Sequence, residues 1–230
     1  MTRPERFRRF LDYFTINFPE PKTELAYGNP YELIVAVVLS AQCTDKRVNQ
    51  VMPALLARFP TPRELGEAAA EDIFPFIRSV SYPNNKARHL AGLGRLLTEE
   101  FGGEVPSTIE ELQRLPGVGR KTANVVVSVI YNQPAMAVDT HVFRVSHRLG
   151  LVPQTATTPL AVEKGLVKYI PQEVIPKAHH WLILHGRYVC VARSPKCHAC
   201  PLSDFCAYYA KEVVGKAASG SGRAPARSQR

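Results

Sequence analysis

Long hydrophobic runs are missing from this sequence. The longest strongly apolar stretch, Leu33 to Leu39, is far too short to cross a bilayer, and the opening Met-Thr-Arg-Pro-Glu-Arg-Phe has no apolar secretory core. These two absences predict an intracellular protein with no membrane association, and for a compact bacterial-sized chain a cytoplasmic one. Cysteine is also scarce: there are five, of which four fall between Cys190 and Cys206, a clustering that excludes a disulfide framework spread over the chain and suits a metal site in a reducing compartment. The fifth, Cys43, is expected to be a half-buried helical cysteine. Acidic residues are outnumbered, 20 against 29 Lys and Arg, for a formal charge of +9. Five basic residues against one acid from Lys211 to Arg230 put +4 of that excess in the tail and leave +5 in the body. A basic body points to a polyanionic partner, either nucleic acid or an anionic surface.

Two-residue alternation is scarce too, which excludes an extensive sheet, whereas helical periodicity recurs throughout. Phe7, Phe10, Leu11, Phe14 and Phe18 trace one stripe. Thr61-Pro62-Arg63-Glu64 and Ser107-Thr108-Ile109-Glu110 read as helix starts with capping boxes, and Gly102-Gly103 and Gly150 read as stops. Tyr31 to Gln42 is apolar on nearly all sides, so it predicts a central helix wrapped by others. The small, polar and basic residues near the end carry no periodicity and predict a disordered basic tail over 213–230. The fold class is all-α.

One turn stands out. A helix through Glu110-Glu111-Leu112 ends in Leu115-Pro116-Gly117-Val118-Gly119, and a second opens with Arg120-Lys121-Thr122. Glycines there permit positive φ and close backbone approach, and the partly positive N-terminus of the second helix completes a phosphate-binding hairpin. Lys121, in the first turn beside Arg120, is either a nucleophile or a lysine that simply meets a phosphate. Asp139, in Ala137-Val138-Asp139-Thr140-His141, is an N-cap whose carboxylate, held by backbone N–H groups, can also face developing positive charge. Cys190, Cys197, Cys200 and Cys206 supply four thiolates at spacings x6, x2 and x5, enough for tetrahedral zinc or for a 4Fe-4S cluster.

Leu-Pro-Gly-Val-Gly-Arg-Lys-Thr-Ala, the Val-Asp-Thr-His segment, His179-His180-Trp181-Leu182-Ile183-Leu184-His185-Gly186-Arg187 and the cysteine spacing together resemble the endonuclease III family, from about Pro19 to Cys206. The resemblance implies a two-lobed helix-hairpin-helix DNA glycosylase fold with a C-terminal cluster loop: residues 22–133 as a six-helix domain, residues 1–21 plus 134–212 as a second, and DNA between them. It implies Lys121 as Schiff-base nucleophile, Asp139 as catalytic carboxylate, and the four cysteines as ligands of a 4Fe-4S cluster. Leu115, Gly117, Val118, Gly119 and Arg120 would contact DNA backbone, as would Arg187 and Lys196, with Arg193 nearby. Gln42 matches the family's gap-filling glutamine, and Tyr82 stands where many relatives carry an aliphatic wedge. Ser40, Asp45 and His141 match the pocket neighbourhood, Asp45 doubling as a cap for the helix 46–59; His198 is expected to be a solvated loop residue.

The implied activity is removal of oxidised or ring-saturated pyrimidines of the thymine glycol type, followed by β-elimination 3′ to the abasic site. The expected partner is duplex DNA carrying damaged bases or abasic sites, and the expected state is a monomer associated with the nucleoid. Two alternatives compete: an adenine-removing mismatch glycosylase of the same superfamily, against which Lys121 argues, and a metal-stabilised DNA-binding module without chemistry, against which Lys121 and Asp139 argue together.

Overall fold

Eleven α-helices account for most of residues 1–215, the part of the chain that the computed structural model describes; no strand occurs among them. The helices are α1 (Arg3–Asn17), α2 (Pro30–Ser40), α3 (Asp45–Arg58), α4 (Pro62–Glu67), α5 (Ala70–Ile77), α6 (Pro83–Phe101), α7 (Ile109–Leu112), α8 (Arg120–Tyr131), α9 (Thr140–Leu149), α10 (Pro159–Val167) and α11 (Ile175–Tyr188). Short 3₁₀ turns at Gln172–Val174, Cys197–Ala199 and Ser203–Phe205 and a π-helix at Tyr209–Val214 follow or separate them. Val213 and Val214 thus close a helix rather than begin a tail, and residues 216–230 of the expected tail lie outside the described residues.

Two compact units divide the chain. One is Lys22–Ala137; the other joins Met1–Pro21 to Val138–Arg230. The division follows Ala137 rather than 133 because Ala135 is still packed into the core of the first unit. That unit contains seven helical segments, of which α7 is a single turn.

In the first unit, α2 is the wrapped helix its composition predicts: Tyr31 and every residue from Leu33 to Leu39 are buried. Such all-round burial of eight side chains stabilises this unit by roughly 1.5–3 kcal/mol for each large apolar side chain removed from water. The α4–α6 crossing needs glycine on both sides, since a Cβ on Gly66 would lie 2.4 Å from the backbone nitrogen of Arg95 and one on Gly94 would lie 2.5 Å from that of Gly66. Caps start the helices. Thr61 and Glu64 close the expected box on α4. On α7 the start lies one residue later than expected: Thr108, not Ser107, is the N-cap, its hydroxyl accepting from the Glu111 N–H and donating to the Glu111 carboxylate at 2.7 Å. Thr44 rather than Asp45 caps α3, leaving Asp45 as the first helical residue beside the positive end of the dipole.

In the second unit α1 is fastened to α11. Phe7, Phe10 and Phe14 are buried, Phe14 stacks on Trp181 with centroids 5.4 Å apart, and the Trp181 indole N–H donates to the Phe18 carbonyl at 2.7 Å. Phe18 itself breaks the expected stripe: it is the C-cap of α1, and its ring is 50% exposed. Its contribution is the carbonyl that anchors Trp181.

Candidate functional site

The hairpin between α7 and α8 is built from two buried apolar anchors and two glycines with different tasks. Leu115 and Val118 point into the core, 2% and 5% exposed, so any ligand at this turn meets their backbone and not their side chains. Gly117 adopts φ 81°, and a Cβ there would press on the His89 side chain at 3.0 Å. Gly119 does not use positive φ at all: it is extended (φ −88°) and serves as the N-cap of α8. Its missing side chain matters for access, because nothing lies within 4 Å of where a Cβ would be and no side chain caps the helix. The result is an open helix N-terminus whose first-turn N–H groups and positive dipole end suit a phosphate. Arg120 and Lys121 are both exposed on this first turn.

Asp139 begins α9 as its N-cap. Its Oδ1 accepts from the backbone N–H groups of His141 and Val142, both at 2.8 Å. One oxygen therefore fixes the carboxylate while Oδ2 accepts no hydrogen bond among the described residues, a division that lets a capping residue also present charge. On the next turns of α9, two arginines four residues apart face the end of α11 and the chain that follows it. Arg144 donates to the carbonyls of Cys190 (3.0 Å) and Gly186 (2.9 Å) and lies 3.1 Å from Nδ1 of His141. Arg148 donates to the carbonyls of Val191 and Ala192, both at 2.8 Å, with one guanidinium nitrogen 3.5 Å from the Cys190 sulfur. Backbone carbonyls of an irregular loop are thereby satisfied by charged donors.

Cys190, Cys197, Cys200 and Cys206 form no disulfide and all line one cavity, together with His185, Leu149 and Tyr208. Among the described residues, no three His, Cys, Asp or Glu side chains converge closely enough to hold a single metal ion. Four sulfurs from one short segment that ring a common cavity are the donor set a 4Fe-4S cluster or a tetrahedral zinc would take. Burial pushes the thiols of Cys197, Cys200 and Cys206 up, so a cationic centre is what would hold them as thiolates. Burial also pulls the His185 ring down to about 4; the neutral imidazole lies with Nε2 3.7 Å from the Cys200 sulfur. His198 is an exposed loop residue, edge-on to Tyr209. Lys196 and Arg193 are exposed on the same loop, and Arg187 is half-buried on α11.

Gln42 and Tyr82, separate in sequence, occupy adjoining loops. Both are exposed and both adopt positive φ, 53° and 54°. Cys43 lies in the same turn between α2 and α3, partly buried against the core, and is not helical as expected. Ser40 donates its hydroxyl back to the Val37 carbonyl, and so serves the end of α2.

Lys121, Arg120, Gly117, Gly119, Gln42 and Tyr82 fall in the first unit; Asp139, Arg187, Lys196 and the four cysteines fall in the second. Sequence reasoning did not single out Arg144, Arg148, His185, Ser81 or Lys86. The i,i+4 arginine pair on α9 was the one local sign available; the others acquire their roles from partners about 15 to 47 residues away.

Comparison with known proteins agrees with this geometry. Residues 35–172 match the model of the HhH-GPD superfamily of base excision DNA repair proteins, and residues 190–206 match the iron-sulfur binding domain of endonuclease III. Endonuclease III of Rickettsia conorii is 45% identical over 201 residues, covering 87% of this chain and 95% of the relative. That of Bacillus subtilis is 47% identical over 196 residues, covering 85% and 89%. A solved structure of a trapped endonuclease III–DNA covalent intermediate superposes with a TM-score of 0.86 at 46% identity, covering 92% of this chain and 99% of that one. The cofactor of this domain is a 4Fe-4S cluster, which the donor set described above fits. The chain belongs to the endonuclease III family of the HhH-GPD superfamily of base excision DNA repair proteins.

Proposed function

We propose that this protein removes oxidised or ring-saturated pyrimidines of the thymine glycol type from duplex DNA and then cleaves the strand 3′ to the abasic site, with Lys121 as the nucleophile. The observation that carries the reading is Lys121 itself: an exposed amine on the first turn of the helix that follows an open, glycine-built phosphate hairpin, in a chain of this family.

In this reading the Lys121 amine forms a bond to the sugar C1′ as the C1′–base bond breaks, the bonding pair leaving with the base, which takes up a proton. Loss of a proton from nitrogen and opening of the sugar ring give a Schiff base. Removal of a C2′ proton then expels the 3′ phosphate with its C–O electrons, and water hydrolyses the imine to release the amine. Asp139, held by its two backbone bonds, is the carboxylate that stabilises positive charge on the sugar and assists proton transfer. Gly117, Gly119 and Arg120 grip the DNA backbone with the N-terminus of α8, while Leu115 and Val118 contribute backbone groups alone. Arg187 and Lys196 meet further phosphates, Gln42 fills the space left by the extruded nucleotide, and Tyr82 stands beside it at the wedge position. Cys190, Cys197, Cys200 and Cys206 hold the 4Fe-4S cluster, which supplies a fixed centre that orders the loop bearing Lys196. The protein acts as a monomer on damaged duplex DNA in the cytoplasm, at the nucleoid; no described helix is long and apolar enough to cross a membrane.

The test is borohydride trapping on duplexes carrying an abasic site or thymine glycol. An adduct on both that disappears in Lys121→Ala and Lys121→Gln is the expected result. No adduct from cluster-loaded wild-type protein would overturn the lysine chemistry.

A further inference from the structure

Three residues other than glycine adopt positive φ among the described residues, and two of them, Gln42 and Tyr82, lie on adjoining loops. Asn132, the third, ends α8 in the left-handed cap that asparagine commonly supplies. Glutamine and tyrosine have no such excuse, and strain of this kind persists where surrounding contacts over-determine the backbone. Those contacts are present. Ser81 donates its hydroxyl to the Gln42 carbonyl at 2.6 Å, joining the two loops directly. Lys86, 5% exposed, extends its ammonium to the carbonyls of Leu39 and Ala41, 2.7 Å from each, at the C-terminal end of α2 that leads into Gln42. A buried lysine is costly; burial pulls it below the usual lysine range, with Cys43 opposing, and the two carbonyls are its compensation. Pro83 at the first position of α6 fixes the exit from Tyr82, whose side chain stays 62% exposed.

Both loops are also tied to the hairpin through α6. The helix that Tyr82 begins carries His89 and Gly92, which pack against Gly117 and Pro116, with closest approaches of 3.0 Å to the positions a glycine Cβ would take. One rigid helix therefore carries an exposed aromatic at its start and supports the phosphate-binding turn along its length.

We propose that Ser81 and Lys86 are positioning residues that clamp the Gln42 and Tyr82 loops into one preformed two-pronged wedge, with Tyr82 as the prong that stacks on the base opposite the lesion. The proposal rests on the glycosylase reading above. It follows from exposure and rigidity together: an aromatic held out into solvent by a strained, cross-linked turn is prepared to receive a π-face at little ordering cost. The clamp bonds Gln42 through its backbone, so its side chain is left for the gap.

The test uses the full-length, cluster-loaded protein with Ser81→Ala, Ser81→Thr, Lys86→Met and Tyr82→Leu, each checked by thermal melting. Two readouts are taken: the ratio of trapping on a duplex abasic site to trapping on a single-stranded one, which needs no extrusion, and the fluorescence of 2-aminopurine placed opposite a tetrahydrofuran abasic analogue, which needs no chemistry. Loss of the clamp hydrogen bond in Ser81→Ala should lower the duplex-to-single-strand ratio by up to about tenfold. Ser81→Thr, which keeps the hydroxyl, should restore it. Binding of the wild type should leave the 2-aminopurine quenched by stacking, and Tyr82→Leu should release that quenching. A folded Ser81→Ala with a wild-type ratio and wild-type quenching would overturn the clamp; quenching unaffected by Tyr82→Leu would overturn the stacking role. Should Lys86→Met fail to fold, the Ser81 pair decides the clamp. A wild type that traps neither substrate would sink the lysine chemistry, while the fluorescence would still decide the wedge.

Discussion

Replacing Asp139 by asparagine separates the two tasks assigned to that side chain. Asparagine caps a helix about as well as aspartate, so the bonds to the His141 and Val142 N–H groups survive and only the charge is lost. The attraction between a carboxylate and a helix N-terminus is about 0.3–1 kcal/mol for partly exposed sites, and Asp139 is half-buried. For a chain of this size that corresponds to a fall in Tm of at most about 4 °C. Alanine also removes the cap and costs about 1 kcal/mol more. If the carboxylate acts in proton transfer and charge stabilisation, single-turnover excision on a thymine glycol duplex should fall about 10²- to 10⁴-fold in Asp139→Asn. The assay is the excision rate of protein that has been matched for cluster content and for melting temperature. Asp139→Asn with near wild-type excision, alongside an Asp139→Ala that is merely less stable, would refute the catalytic role and leave Asp139 a cap.

Two further outcomes follow from the packing. Tyr31 donates its hydroxyl to the Phe59 carbonyl at 2.8 Å, and burial, with Glu64 and Glu32 adding, raises its pKa well above the ordinary 10. A raised folded-state value means that its contribution is complete below pH 10 and is lost as pH rises toward the folded value; Tyr31→Phe should cost about 1 kcal/mol at neutral pH and flatten the alkaline fall in denaturant-measured stability. An unchanged alkaline limb would count against this assignment. Arg148→Ala removes two donors to the loop carbonyls of Val191 and Ala192, a guanidinium beside the Cys190 sulfur and a cation over the Tyr208 ring at 4.8 Å. The visible absorbance of the cluster should bleach faster under chelator in this variant than in wild type, and equal rates would show that the cysteines hold the loop unaided.

Much of this protein is legible along the chain because the signals are local. Threonines with a glutamate three residues on start α4 and α7, and Asp139 caps α9, because those bonds span two or three residues. The four cysteines announce a centre for the same reason: all four sulfur donors come from a single segment of the chain. Even here the register slipped at Thr108 and Thr44, where neighbouring residues were equally able to cap and only the backbone path chose between them. Leu115 and Val118 show the limit more sharply. The motif marks the turn, but whether its apolar side chains face DNA or the core depends on what packs beneath them, and both are buried.

By itself the sequence determined an all-helical fold, the place of the glycine hairpin, and the amine, the carboxylate and the four cysteines as candidate site residues, since each is written in spacings of a few residues. The tertiary structure alone decided that Ser81 meets Gln42 across 39 positions, that Lys86 reaches the end of α2 across 45 and 47, and that Arg144 and Arg148 seat the cysteine loop across 42 to 46. Contacts of that range are set by how helices cross, which depends on the combined shapes of buried faces and not on any local pattern.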